Sequence, residues 1–169
     1  SSIWNITGPT VLNTGQVADG TVNLGSSISG TDTLTVNGVM NWTGGGITDI
    51  GVITNDSLFI TGGALYGTAT LIVNGMALHT SSTIGMYAKL IISSTGTYNM
   101  SGSAQWRSQG GGPDSIINEG TVNILRNGTL VFYYGAGLSF NNTTSGTLNV
   151  SPGFDCSIGG IPVTNDGTV

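Results

Sequence analysis

Side chains that could do chemistry are few and scattered along this sequence. The 169 residues contain eight acids, three bases and one histidine. A polysaccharide-cleaving enzyme needs clustered acids for calcium or for general acid–base catalysis, usually with a base beside them. Most of the acids instead adjoin Gly, Ser or Thr, where Asp stabilises turns by bonding nearby backbone. We interpret them as turn residues: Asp19, Asp32, Asp49, Asp56, Asp114, Glu119, Asp155 and Asp166.

Other catalytic patterns are equally weak. His79 is the only histidine, so a histidine-based metal site within one chain is not expected. Cys156 is the only cysteine, so it cannot form a disulfide within the chain. No sequence spacing indicates that Cys156 and His79 act together as nucleophile and base. The triple glycines at 44–46 and 110–112 lack the Gly-Lys-Ser/Thr ending of phosphate loops. We expect no catalytic residue, no metal and no cofactor, although carboxylates meeting across distant segments remain open.

Composition excludes several partners. The bases are Lys89, Arg107 and Arg126 and the formal charge is −5, so no basic patch can follow a nucleic-acid backbone. No apolar run reaches the length of a membrane span, and the first residues lack the parts of a signal peptide. Charged residues make up 7% of the chain, against roughly 25% in an average domain.

A short apolar pattern recurs throughout the sequence. It is a triplet in which two apolar residues flank any residue, with Gly, Asn, Ser or Thr close by. Alternation places the two apolar side chains on one face of a short strand, and the flanking residues turn the chain. The triplets begin at Val22, Leu34, Leu58, Leu71, Leu90, Val122, Leu130 and Leu148. They predict an all-β fold, a parallel β-helix or solenoid of short strands, with a β-sandwich as the alternative.

Longer repeats support the solenoid. The segment 30–38, GTDTLTVNG, returns at 67–75 as GTATLIVNG. A phrase ending in Gly-Thr-Val occurs at 18–22, 118–122 and 165–169. A third, longer block begins near Trp42 and returns near Trp106. Trp106 follows Trp42 by 64 residues, and Ile124 follows Ile60 by the same 64 residues. We therefore expect the two copies of the block to stay in register at both ends.

One stretch resembles a known group of proteins. The segments 41–47 (NWTGGGI), 51–55 (GVITN) and 57–60 (SLFI) are similar to the degenerate repeats of large bacterial surface and secreted β-helix proteins. These are autotransporter-type passengers and filamentous-haemagglutinin-like adhesins. The resemblance implies a right-handed parallel β-helix and an extracellular or cell-surface location. It carries over no catalytic residue, because the shared pattern is architectural.

Two features are candidates for glycan chemistry. Eight of the fifteen asparagines stand in Asn-x-Ser/Thr acceptors, which predicts N-glycosylation in a suitable host or, equally, the use of Asn and Thr in solenoid turns. The acceptors are Asn5, Asn41, Asn55, Asn99, Asn127, Asn141, Asn142 and Asn149. Trp42 and Trp106 could stack on sugar rings, but their apolar-x-Trp pattern favours core positions.

These observations predict one solenoid domain over residues 1–169, either a segment of a longer array or a filament protomer. Neither end carries the polar cap that terminal rungs need, so we expect head-to-tail self-association as one partner interaction and surface glycans as another. The expected function is that of a non-catalytic extracellular stalk, filament subunit or adhesin repeat. Alternatives are a β-helix enzyme acting on polysaccharide and an ice- or glycan-binding face built on Thr-x-Thr segments.

Overall fold

The chain forms a parallel β-solenoid of about seven turns, with no helix among the described residues. The computed structural model describes residues 2–81, 83–108, 114–132, 138–153, 156–158 and 163–169. Within them, 24 short strands form three sheets of eight, and each strand pairs in parallel with the strand three places later in the chain. The predicted solenoid is therefore confirmed over the sandwich, which would pair strands through hairpins.

Each sheet contributes one strand to every turn of the coil. Sheet A contains β1 (Ile3–Ile6), β4 (Thr21–Leu24), β7 (Val39–Trp42), β10 (Ser57–Ile60), β13 (Met76–His79), β16 (Thr97–Ser101), β19 (Thr121–Leu125) and β22 (Thr147–Val150). Sheet B contains β2 (Thr10–Leu12), β5 (Ile28–Gly30), β8 (Gly46–Thr48), β11 (Ala64–Tyr66), β14 (Thr83–Met86), β17 (Gln105–Ser108), β20 (Gly128–Phe132) and β23 (Cys156–Ile158). Sheet C contains β3 (Gln16–Ala18), β6 (Thr33–Val36), β9 (Gly51–Thr54), β12 (Thr70–Val73), β15 (Lys89–Ile92), β18 (Ser115–Asn118), β21 (Ser139–Asn142) and β24 (Val163–Asn165).

The apolar triplets form the core. In β4, β6, β10, β12, β15 and β19 both apolar residues of the triplet are buried while the residue between them faces outward. The last triplet is less regular, because Leu148 is buried but Val150 is exposed. The side chains of the triplet at 130–132 and the glycines at 110–112 lie outside the described residues. One continuous apolar core thus runs along the solenoid axis.

Turn length varies along the chain, and this corrects one prediction. Residues paired in neighbouring rungs are 18 apart in the first turns, 26 apart at Asn123 and Asn149, and 28 apart at Gly128 and Cys156. The block repeat keeps register at Ile60 and Ile124, which both lie in sheet A. It fails at its other end, because Trp42 lies in sheet A and Trp106 in sheet B. Because the rungs lengthen along the chain, two residues separated by 64 positions do not always lie in the same sheet.

The corner between sheets C and A explains the Gly-Thr-Val phrases. All three occurrences reach this corner, where Gly20, Gly120 and Gly167 lie beside the backbone of the rung before. A Cβ added at Gly38 would lie 2.2 Å from the carbonyl oxygen of Gly20, which is shorter than Cβ contacts in proteins. Glycine is required here by the close approach of two backbones.

Gly38→Ala should therefore destabilise the fold by about 1–3 kcal/mol, the range for overpacking a close contact. The measurement is the free energy of unfolding from denaturant titration. Gly8→Ala is the matched control, because nothing lies within 4 Å of an added Cβ there. Equal stability of the two variants would contradict the packing of this corner.

Candidate functional site

Asparagine ladders follow the outer face of sheet A. Asn23 Nδ2 donates to Asn5 Oδ1 at 2.7 Å, and Asn41 Nδ2 donates to Asn23 Oδ1 at 2.8 Å. The same column resumes near the other end, in a second ladder of Asn99, Asn123 and Asn149 with bonds of 2.8 and 2.9 Å. Phe59 and Leu78 occupy the two intervening rungs. Each amide uses its N–H on one neighbour and its oxygen on the other, so identical residues satisfy one another when stacked.

Two further ladders lie at the end of sheet C. At its corner with sheet A, Asn37, Asn55 and Asn74 each donate to the residue one rung before, the first acceptor being Asp19. The second ladder points inward: Asn118 Nδ2 donates to Asn142 Oδ1, and Asn142 Nδ2 to Asn165 Oδ1, each at 2.7 Å. Asn118 and Asn142 are fully buried and also donate to the backbone carbonyls of Thr147 and Thr168.

These ladders contain most of the predicted glycan acceptors. They include Asn5, Asn41, Asn55, Asn99, Asn142 and Asn149. Asn141 lies on the outer side of β21, with its Oδ1 buried and without a partner among the described residues. Asn127 is exposed between β19 and β20, outside all four ladders. A glycan would be attached to the amide nitrogen, which is a ladder donor at Asn41, Asn55, Asn142 and Asn149. Glycosylation itself stays a prediction.

The two tryptophans that could stack on sugars, Trp42 and Trp106, are core residues. Trp42 and Trp106 have no exposed surface, so neither presents a ring face to a sugar. Trp106 lies in an aromatic cluster with Phe140, at 6.1 Å between ring centroids, and Tyr98, at 5.4 Å. Their indole N–H groups have hydrogen-bond partners inside the protein. For example, the Trp42 N–H donates to the carbonyl oxygen of Gly44 at 2.9 Å.

His79 is part of the same core. The Trp106 indole N–H donates to the Tyr98 hydroxyl oxygen at 3.3 Å, and that hydroxyl lies 3.2 Å from His79 Nδ1. Burial raises the pKa of Tyr98, so the phenol stays protonated. The hydroxyl, which accepts from the indole, is free to donate to His79 Nδ1. His79 is fully buried, and the chain of hydrogen bonds gives it a structural partner.

Most described acids lie at turns, as the sequence predicts. Asp49 has a φ of 57° and accepts hydrogen bonds from the backbone N–H of Thr68 at 2.8 Å and from its hydroxyl at 3.2 Å, which ties two rungs together. Asp32 accepts from the backbone N–H of Thr33 at 2.9 Å. Asp155 lies outside the described residues, and Cys156 is described only as part of β23.

Asp114 contradicts the turn interpretation. Its side chain is 1% exposed, and neither carboxylate oxygen has a hydrogen-bond partner among the described residues. It precedes β18 at a position that stacks on Ala88 in the rung before and on Leu138 in the rung after. Ala69, Ala88 and Leu138 in this column are all buried. Burial raises the pKa of the Asp114 carboxyl above its ordinary value of 3.8, because the ionised form loses its hydration.

A cavity of about 260 Å³ opens beside this carboxyl, at the corner between sheets B and C. Its wall includes an aromatic ring, two small apolar residues, two hydroxyls and one cation together with Asp114. The lining residues are Gly67, Thr68, Ala69, Thr70, Tyr87, Ala88, Lys89 and Asp114. Tyr87 stacks on Tyr66 with 4.9 Å between ring centroids, and Tyr66 is 40% exposed. This corner is the candidate functional site.

The sequence held one signal for this site. Asp114 follows Ile50 by the same 64 residues that separate Ile60 from Ile124, so the block repeat aligns a carboxylate with a core isoleucine. Ile50 is buried in the same column as Asp114. The neighbouring Pro113 and Ser115 are typical turn residues, and they led to the prediction that Asp114 lies in a turn.

The fold and the ladders define a parallel β-solenoid repeat protein. Comparison with protein-family models, with curated proteins and with solved structures finds no match. Within the described ranges, no helix is long and apolar enough to cross a membrane. The same residues contain no group of three His, Cys, Asp or Glu side chains placed to hold a metal ion.

Asp114→Ala should raise the free energy of unfolding at pH 7 by about 1 kcal/mol, because it removes a buried carboxyl that has no hydrogen-bond partner among the described residues. The folded state holds the proton of Asp114 more tightly than the unfolded state. The wild type therefore loses stability relative to the variant as pH rises above the ordinary pKa of 3.8, until the raised folded pKa is passed. Denaturant titration from pH 3 upward measures the difference. A variant that is less stable than the wild type at every pH would contradict this account of the site.

Proposed function

We propose that this chain is a non-catalytic, extracellular β-helix module with a structural or adhesive role, as a surface stalk, a filament subunit or an adhesin repeat. The observation that carries the proposal is the set of asparagine ladders, which join successive rungs along the axis. Side-chain bonds in this direction add to the backbone pairing of three sheets. A rod joined in this way is suited to bearing load along its length.

The outer face of sheet C supports an adhesive role. Its central column presents isoleucines in four successive rungs, at Ile53, Ile72, Ile91 and Ile117, all partly exposed. Contiguous exposed apolar strips mark interaction surfaces more often than isolated apolar residues do. Long flat faces of this kind fit an extended partner better than a small one.

The edges of the sheets support assembly along the axis. β1, β2 and β3 are edge strands at one end of the three sheets, and β22, β23 and β24 at the other. Edge strands present backbone groups that pair readily with another strand. Further rungs of a longer polypeptide or a second copy of the chain could supply that strand, and a repeated head-to-tail contact would produce a filament.

The alternative from another class is an enzyme acting on polysaccharide. The buried Asp114 favours it, because a carboxyl whose pKa is raised can act as a general acid. Glycoside hydrolysis usually needs a second carboxylate opposite the first. Arg126, one of the bases that could support such a site, donates instead to the backbone carbonyls of Ala104 and Asn127.

Electron microscopy of the purified native protein, with a polysaccharide cleavage assay on the same sample, tests the proposal. We expect rods or fibres with an axial repeat of roughly 38 Å per chain, which is eight strand spacings of about 4.8 Å, seven within the chain and one at the head-to-tail contact. We also expect no new reducing ends. Intact mass would report any glycosylation of the acceptors. Release of reducing ends from a polysaccharide panel would contradict the non-catalytic assignment, and globular particles without axial order would contradict the rod.

A further inference from the structure

We propose that the outer face of sheet A binds the same face of a second copy of this chain, with the two solenoids side by side and antiparallel. The inference goes beyond the axial assembly proposed above, because it concerns the flank of the rod and uses no edge strand. It begins from the two rungs at which Phe59 and Leu78 interrupt the column of asparagines.

The interruption leaves an apolar patch on an otherwise polar column. Phe59 is 36% exposed, Met76 in the next rung is 41% exposed, and Leu78 beside it is partly exposed. Asparagine at positions 59 and 78 would join the two ladders into one, so hydrogen bonding within the chain does not call for apolar residues there. Apolar surface bordered by polar residues is typical of an interaction site.

The column reads the same from both ends, and this identifies the partner. It has three asparagines, two apolar residues and three asparagines. In rung order the residues are Asn5, Asn23, Asn41, Phe59, Leu78, Asn99, Asn123 and Asn149. A second copy, turned by 180° about an axis that runs along the strands between β10 and β13, presents this column in reverse order. Phe59 then faces Leu78 of the second copy, and every asparagine faces an asparagine, as a two-fold interface requires.

The direction of the ladder bonds selects the antiparallel arrangement. In both ladders Nδ2 donates to the rung before and Oδ1 accepts from the rung after. Reversing the second copy therefore places each Nδ2 opposite an Oδ1, whereas a parallel copy would place like atoms opposite each other. Next to the patch, Asn41 Oδ1 and Asn99 Nδ2 have no hydrogen-bond partner among the described residues. In the antiparallel pair these two atoms face each other across the interface.

The charge and the size of the face set the strength of the contact. The eight strands of sheet A, all within the described residues, contain no Asp, Glu, Lys or Arg, so two such faces can meet without burying an ion. Seven strand spacings and a width of about four residues give a face of roughly 34 by 13 Å. A pair of such faces buries on the order of 900 Å², less than the roughly 1,200–2,000 Å² of stable interfaces. We therefore expect a weak dimer that depends on concentration.

Sedimentation equilibrium of the full chain tests the inference. We expect the average mass to rise from one chain towards two as the protein concentration increases through the micromolar range. Phe59→Lys should weaken dimerisation at least tenfold, because it places an ammonium group in the apolar patch. Val11→Lys is the matched control: it adds the same charge at a residue of sheet B that is 63% exposed, and should dimerise as the wild type does.

A mixture of two variants tests the reversed rung order. Leu78→Glu alone should also weaken dimerisation at least tenfold. An equimolar mixture of Phe59→Lys and Leu78→Glu should associate at least tenfold more tightly than either variant alone, because positions 59 and 78 face each other and the introduced charges are opposite. Circular dichroism of each variant reports that the fold is retained.

Three results would overturn the inference and leave the proposed rod intact. They are a mass of one chain at every concentration, equal weakening of dimerisation by Val11→Lys, and a mixture that associates no better than the single variants. A glycan on Asn41 of the native protein would also overturn it, because the glycan would occupy the face that the second copy needs.

Discussion

The residues of paired strands in this fold stack on their counterparts in the next rung at about 4.8 Å. A strand side chain must therefore be compatible with the side chains directly before and after it in the same column. Apolar residues meet this condition inside the solenoid, and asparagine meets it on any face because its amide donates in one direction and accepts in the other. Like charges do not meet it. The 7% of charged residues in the sequence is consistent with that constraint.

The same constraint governs the polar groups in the core. The inward ladder of Asn118, Asn142 and Asn165 continues, in the later rungs, a column that holds Val36, Thr54, Val73 and Ile92 in earlier rungs. Its amides are joined by hydrogen bonds along the axis. A second arrangement satisfies buried polar groups through a chain of hydrogen bonds across the interior, formed by His79, Tyr98 and Trp106. Asp114 has neither solution, because both of its carboxylate oxygens are buried without a hydrogen-bond partner among the described residues. Proteins commonly retain such local conflicts where function requires them.

Local sequence was sufficient to predict strands and corners but not their place in the coil. Triplets such as Val22 to Leu24 identify short half-buried strands, because alternation and flanking turn residues are both local signals. The sheet to which a strand belongs depends on the length of every turn before it. Rungs lengthen from 18 to 28 residues along the chain, so Trp106 could not be assigned to sheet B by its spacing from Trp42. The cavity could not be predicted for a related reason, because its lining comes from three successive rungs. The turn-like neighbours of Asp114 also gave no sign that this residue lies in the core.

A double-mutant cycle on the sheet A ladder measures the stacking constraint directly. Asn23→Asp and Asn41→Asp, singly and together, would place carboxylates in adjacent rungs of one column. We predict that the double variant is less stable than the sum of the single effects by about 1 kcal/mol at low salt, and that this coupling shrinks in high salt. Asn23→Asp combined with Asn149→Asp, at the far end of the same face, should be additive. Additive effects in the adjacent pair would contradict a fold in which each rung stacks in register on the next.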